Sequence, residues 1–297
     1  MTKKKLKTSI SIVIETIKSW NADNPWRLSA VVAFYAVLSL PALLIILINV
    51  VGIIWGTEAV QGKLTNEFSQ VLGMDSAKSI QTMIASAEKS NQSYMATVVG
   101  IGTLIFGATG VFYQLKISLN EIWKINPIPR TQIIKIITDR VISFGFILVI
   151  GFLLLVSLVL TAAISLLNDF IRELFPDIVL YIGYTLDAVI SMGIITVLFA
   201  LIFKYLPDAK IQWKTVWRGA TVTAFLFVAG KFLLGIYFGQ ASPDSTYGAA
   251  GSIILILLWV FYSCLILLLG AKFTAVYAEK YGLGIKPASN AELKKSP

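Results

Sequence analysis

The chain has 297 residues, 57% of them hydrophobic and 14% charged, with a net charge of +9 and a mean hydropathy of +0.79. Soluble domains carry about 25% charged residues, so this composition excludes an ordinary water-soluble core and makes lipid the solvent for most of the chain. With no histidine and a single cysteine, Cys264, it also excludes His-ligated metal sites, His proton relays and an intrachain disulfide.

The start, Met1 to Lys7, is basic, and no short apolar region with a small-residue cleavage site follows, so no cleaved signal peptide is expected. Leu6, Ile10, Val13, Ile14 and Ile17 fall at helical spacing among lysines and serines. Residues 1–24 therefore read as an amphipathic helix lying on the membrane surface. Asn24-Pro25 breaks the chain before the first apolar stretch, Leu28 to Thr57, which holds no Lys, Arg, Asp or Glu. Pro41 sits mid-stretch and is expected to kink it, as a hinge or as a packing adaptation. Asn49 is a polar residue at membrane depth, placed for packing or for a pathway.

The segment Glu58 to Lys89 is the one long external connection. Val60, Leu64, Phe68, Val71 and Leu72 form one helical stripe, and Asp75 or Ser76 caps a second helix with Ala77, Ile80, Ile84 and Ala87 on one face. Two short amphipathic helices are expected on the outer face, lidding a cavity or lying at the interface.

A second charge-free stretch runs from Ser90 to Leu115. Ala96, Gly100, Gly102, Thr103, Gly107 and Gly110 give it a small face suited to close helix contact, and Gln114 is polar near its end. Beyond it, Leu115, Leu119, Ile122 and Trp123 lie opposite Lys116, Asn120 and Lys124, which predicts an interfacial elbow helix ended by Pro127 and Pro129. The third stretch, Val141 to Asn168, is also charge-free and contains Thr161.

The next two stretches each carry one charge. About Ile178 to Phe203 holds Asp187, and about Gly219 to Phe238 holds Lys231. A charge at membrane depth costs roughly 2.5–3.5 kcal/mol on insertion scales, so each needs a partner or a task. The two stretches are antiparallel neighbours, and at 1.5 Å per residue both charges fall roughly 12 Å below the outer surface. Asp187 and Lys231 are thus the candidate substrate-binding residues, pairing with each other or sharing a polar cavity with a ligand. Gly235 and Gly239 form a small-xxx-small pair and are hinge candidates. A last charge-free stretch, Ser245 to Ala271, follows, with Tyr247 at its start as a pathway or packing residue.

The predicted fold class is an all-α integral membrane protein of six transmembrane helices plus amphipathic interfacial helices. Placing the N-terminus in the cytoplasm puts 20 of the 25 basic residues on cytoplasmic segments, which fixes both termini there. The expected organisation is a cytoplasmic N-terminal helix over 1–24, a transmembrane domain over 25–279 with the external helical loop 58–89, and a cytoplasmic tail over 280–297. Because the positive charge is sorted by topology, it points to anionic headgroups rather than to nucleic acid.

Catalytic and metal motifs are missing. The acids on the cytoplasmic side, Glu15, Asp23, Glu121, Asp139, Asp208, Glu279 and Glu292, are scattered and lack the spacing of a metal-dependent nuclease. No P-loop, G-x-S-x-G or CxxC occurs. No catalytic residue, metal ligand or cofactor is expected.

In the C-terminal third, Leu206-Pro207-Asp208, Trp213, Gly230-Lys231, Tyr237, Tyr247-Gly248-Ala249-Ala250-Gly251, Leu257-Leu258-Trp259 and Leu267-Leu268-Leu269-Gly270-Ala271 follow in order. Ala33-Phe34-Tyr35, Leu38-Ser39-Leu40-Pro41, Leu119-Asn120 and Ile122-Trp123 come earlier. Together they resemble the YihY/BrkB family of bacterial inner-membrane proteins over about Trp20 to Tyr281. The resemblance implies six helices with cytoplasmic termini and makes Lys231 match a lysine of the family pattern. Lys272 departs from it, since that pattern usually has Glu after Gly-Ala. The family has carried a ribonuclease BN label and a virulence name, and some members are linked to moving lipids or lipid-like precursors. The leading expectation is a transport or flippase-like protein for lipids or amphipathic envelope solutes, with membrane lipids as partners. The alternative is a membrane scaffold docking an envelope partner through 58–89, and a membrane ribonuclease comes last.

Overall fold

A computed structural model describes residues 3–72, 74, 77–82, 94–128, 132–172, 176–241, 251–281 and 284–294. Helix α1 spans Lys3–Ala22, α2 Pro25–Trp55 and α3 Thr57–Leu72. Next come α4 Tyr94–Ile122, β1 Ile125–Pro127, α5 Gln132–Arg172, α6 Pro176–Tyr205 and β2 Ala209–Lys210. The chain continues with α7 Trp213–Ala241, α8 Gly251–Lys280, β3 Lys286–Pro287 and β4 Ala291–Leu293.

Asn24, in the left-handed region at φ 53°, turns the chain, and Pro25 opens α2 where a missing N–H costs nothing. Helix α2 then runs 31 residues, through Pro41, to Trp55. That is about 46 Å at 1.5 Å per residue, ample for a hydrocarbon core of about 30 Å. Gly56, at φ 87°, reverses the chain directly into α3. Among the described residues five helical segments are long and apolar enough to cross a membrane: Pro25–Trp55, Thr138–Ser157, Ala188–Tyr205, Trp213–Tyr237 and Ile253–Lys280.

Helices α2, α4, α5, α6, α7 and α8 make a closed ring. Each packs on its successor, α8 returns to α2, and α2 also reaches α5. Small residues set the tightest seams. A Cβ at Gly110 would lie 3.5 Å from Ser39 Oγ, and one at Gly107 3.5 Å from Ala42 Cβ, so the small face of α4 receives α2. Between α7 and α8 two Gly-xxx-Thr pairs interlock head to tail. Gly219 faces Thr274 and Gly270 faces Thr223, each so close that a methyl would overlap the threonine. Both hydroxyls donate to carbonyls of their own helix, Thr223 to Gly219 and Thr274 to Gly270, at 2.7 Å. Both threonine hydroxyls at these crossings are therefore satisfied within their own helices.

The two ends of the ring differ. At one, α1 lies against α8, and the C-terminal segment straps two inter-helix links. Strand β4 pairs antiparallel with β1 (Ile125↔Leu293), and β3 pairs with β2 (Ala209↔Pro287). Helix α1 buries Ile12 and Thr16 but leaves Ile10, Val13, Ile14 and Ile17 about half exposed, so the stripe legible in the sequence faces away from the bundle. At the other end, α3 folds back onto α2, α7 and α8. Val60 is fully buried there, with Leu64 and Phe68 packed against the same apolar cluster as Leu44, Ile48 and Leu255. Of the expected second external helix, 77–82 is helical, with Ala77 and Ile80 buried; Ile84 and Ala87 lie outside the described residues.

One expectation changes. The elbow helix expected after Leu115 is the end of α4, continuous to Ile122. Of its polar face Lys116 and Asn120 are both buried, and only Lys124, just past the helix, is exposed.

Candidate functional site

Lys231 opens onto a groove of about 260 Å³ at the α3 end of the ring. Helix α5 contributes Ile150, Leu153, Leu154 and Ser157, and α6 contributes Ser191, Ile194, Ile195 and Leu198. Helix α3 adds Lys63 and Glu67. Local sequence explains why the charges point inward. Gly230 sits hard against α8, where a Cβ would come 2.6 Å from Tyr262 Cε1. The next residue, turned by 100°, is Lys231, which faces away from that seam. On α3 the apolar stripe is held by the bundle, and Lys63 and Glu67, one turn apart, flank it on the groove side.

The three charges form one bridge. Glu67 Oε1 takes Lys63 Nζ at 3.3 Å, and Glu67 Oε2 takes Lys231 Nζ at 3.9 Å. Both contacts are long, and the side chains are 22%, 44% and 39% exposed for Lys63, Glu67 and Lys231. Ion pairs this open contribute about 0–1 kcal/mol, less than the cost of holding a lysine at membrane depth. The arrangement is a net-positive floor under apolar walls with two serine hydroxyls. It can receive the charged end of an amphiphile.

The residues singled out in the sequence fall in different places. Asp187 lies in α6, one helical turn from Ser191; its side chain lies outside the described residues. The described partner of Lys231 is Glu67. Asn49 is exposed and donates 2.8 Å to the Ile45 carbonyl of its own helix. Gln114 is half-buried on α4. Pro41 lies within an unbroken helix, Gly235 faces open space, and Gly239 is in the last turns of α7. Tyr247 lies outside the described residues.

A second polar cluster sits at the strapped end, and sequence reading gave it no role beyond topology. Lys116 Nζ lies 2.6 Å from Asp139 Oδ1 and 2.9 Å from Asp208 Oδ1, with side chains 7%, 4% and 9% exposed. Asn120 and Asn290 donate to Asp208 at 3.0 and 3.1 Å, and the Asp208 backbone N–H donates 2.9 Å to Asn120 Oδ1. So α4, α5, the α6–α7 link and the C-terminal strap meet at one point. Two of the acids scattered in sequence, Asp139 and Asp208, converge here. However, an ammonium group fills the space between them, where a hydrolytic metal would have to sit, and burial keeps a polynucleotide out. The signal available in the sequence was Asn120 and Asp208 within resemblance motifs, but nothing marked Lys116 or Asp139 as their partners.

Lys272 also finds a local acid. Its Nζ lies 2.6 Å from Asp23 Oδ2, with both side chains largely buried. Beside it, Trp123 Nε1 donates 2.8 Å to the Ala271 carbonyl.

A family model for virulence factor BrkB matches residues 16–294. Relatives carry the name UPF0761 membrane protein. One from Tolumonas auensis is 30% identical over 62% of this chain and 58% of its own, and one from Verminephrobacter eiseniae is 28% identical over 60% and 41%. One from Rhodospirillum centenum is 23% identical over 93% of this chain and 59% of its own. The chain thus spans about half the length of the curated relatives it matches. No solved structure matches.

Proposed function

Because the chain belongs to the virulence factor BrkB family, whose curated relatives are named as membrane proteins, we propose that it moves lipids or amphipathic envelope solutes across the bacterial inner membrane. In this reading α4 is the sixth span. The strapped end, with both termini and most of the basic residues, faces the cytoplasm, as the positive-inside rule requires. The groove at Lys231 then opens toward the outer leaflet.

The observation that carries the reading is the groove itself. It pairs cationic and hydroxyl groups with apolar walls from α5 and α6, the division of an amphiphile into headgroup and chain. Lys231 and Ser191 would hold the headgroup, with Asp187 one turn away on α6 as a second polar contact. The scaffold alternative, docking through 58–89, has less support because α3 commits its apolar stripe to its own bundle. The ribonuclease alternative has least, since Lys116 occupies the space between the carboxylates of Asp139 and Asp208 on that side.

The test is reconstitution of the purified chain with a headgroup-labelled phospholipid. Transbilayer movement is expected to be faster than in protein-free liposomes and slowed by Lys231→Gln. Movement equal to that in protein-free liposomes would overturn the transport reading.

A further inference from the structure

Resting on the reading of the groove as a lipid-headgroup site, we propose that its ligand is anionic, carries a phosphodiester headgroup, and binds by displacing Glu67. The argument starts from the shape of the bridge. Glu67 presents one oxygen to Lys63 and the other to Lys231. The two non-bridging oxygens of a phosphodiester share one negative charge in the same way, so they can span the same two ammonium groups. Glu67 is a built-in stand-in for that anion.

Charge bookkeeping selects the headgroup. With Glu67 in place the three groups sum to one positive charge, and with Glu67 swung out the two lysines present two. A zwitterionic lipid brings its own cation into a floor already cationic, which opposes binding. An anionic lipid such as phosphatidylglycerol brings none. The swing is feasible because Glu67 is almost half exposed and its contacts are long, so it loses little on leaving. The serines on the facing walls, Ser157 and Ser191, supply neutral donors for glycerol hydroxyls. Helix α3 gains a role from this. It carries both Lys63 and the competitor, so a headgroup that binds exchanges one contact of α3 for another and leaves the apolar seat of Val60 undisturbed.

The test is lipid binding to the purified full-length chain in detergent, titrated with phosphatidylglycerol and with phosphatidylcholine and read by native mass spectrometry. Wild type is expected to prefer phosphatidylglycerol. Lys63→Gln and Lys231→Gln should each weaken that lipid by roughly two- to fivefold, the range for a partly exposed ion pair, and leave phosphatidylcholine unchanged. Glu67→Gln should strengthen phosphatidylglycerol by a similar factor. If lipid binds without headgroup preference and Glu67→Gln changes nothing, the anion site is overturned while the groove remains a lipid site. If a groove-filling Ser157→Trp variant, with unaltered thermal unfolding, binds both lipids as wild type does, the groove reading itself fails. Glycerol phosphate displacing phosphatidylglycerol at equal concentration would assign the site to a soluble organophosphate and overturn the lipid.

Discussion

Replacing Lys116 with Met tests the packing at the strapped end. The side chain is of similar length, so packing is kept while the charge is lost. Lys116 Nζ bridges Asp139 and Asp208 at 2.6 and 2.9 Å in a setting almost closed to solvent. Asp208 retains the amide donors Asn120 and Asn290. Asp139 has no other described hydrogen-bond donor to its carboxylate and keeps only the longer-range attraction of Arg140, so it becomes the poorly compensated charge. Removing one partner of a buried ion pair costs about 3–5 kcal/mol, and the lower half of that range is expected because Asp208 stays partly satisfied. The second variant, Lys116→Met with Asp139→Asn, removes the stranded charge and should recover about 2 kcal/mol of the loss. The assay is equilibrium unfolding in mixed micelles, followed by helicity and by tryptophan fluorescence. If Lys116→Met costs less than about 1 kcal/mol, the range of an exposed pair, or if the double variant is no better than the single, the cluster is solvated and the reasoning is wrong.

Two further outcomes follow from other contacts. Gly270→Ala places a methyl inside Thr223 across the α7–α8 seam; it should destabilise by about 1–3 kcal/mol, and Thr223→Ala should relieve part of that in the double variant, measured by the same unfolding. Lys272→Glu sets two acids together at Asp23 and should cost more than Lys272→Met, while the exchange Asp23→Lys with Lys272→Glu should restore stability; equal losses in all three would show that the pair is not coupled.

The apolar runs were legible because lipid leaves so little freedom: a charge-free run of 30 residues, Leu28 to Thr57, with Gly56 near its end reads as one spanning helix, and α2 follows it closely, ending at Trp55. The stripe on 58–72 was legible for the same reason, since Val60 and Phe68 recur at helical spacing. What could not be read is partnership across the sequence. Lys116 and Asn120 are spaced as a wet helix face, and only folding brings Asp139 to Lys116 across 23 positions, Asp208 to Asn120 across 88, and Asn290 to Asp208 across 82. The strap was invisible because strands of two or three residues carry no alternating pattern. At the groove the sequence marked Lys231 by its cost in lipid, but its described partner, Glu67, was hidden in a segment where charges are cheap and therefore uninformative. Lys272, out of step with the family pattern, is answered by Asp23, a residue that gave no signal of its own.

The most direct test of the groove as a headgroup site is to map where a lipid sits. Phosphatidylglycerol carrying a photoreactive group on its headgroup would be bound to the reconstituted chain, irradiated, and located by peptide mass spectrometry. Adducts are expected on the α3 segment holding Lys63 and Glu67, on α6 around Ser191, and on α7 around Lys231, and they should fall in Lys231→Gln. Adducts spread evenly over the outer faces of the bundle, unchanged by Lys231→Gln, would contradict the account.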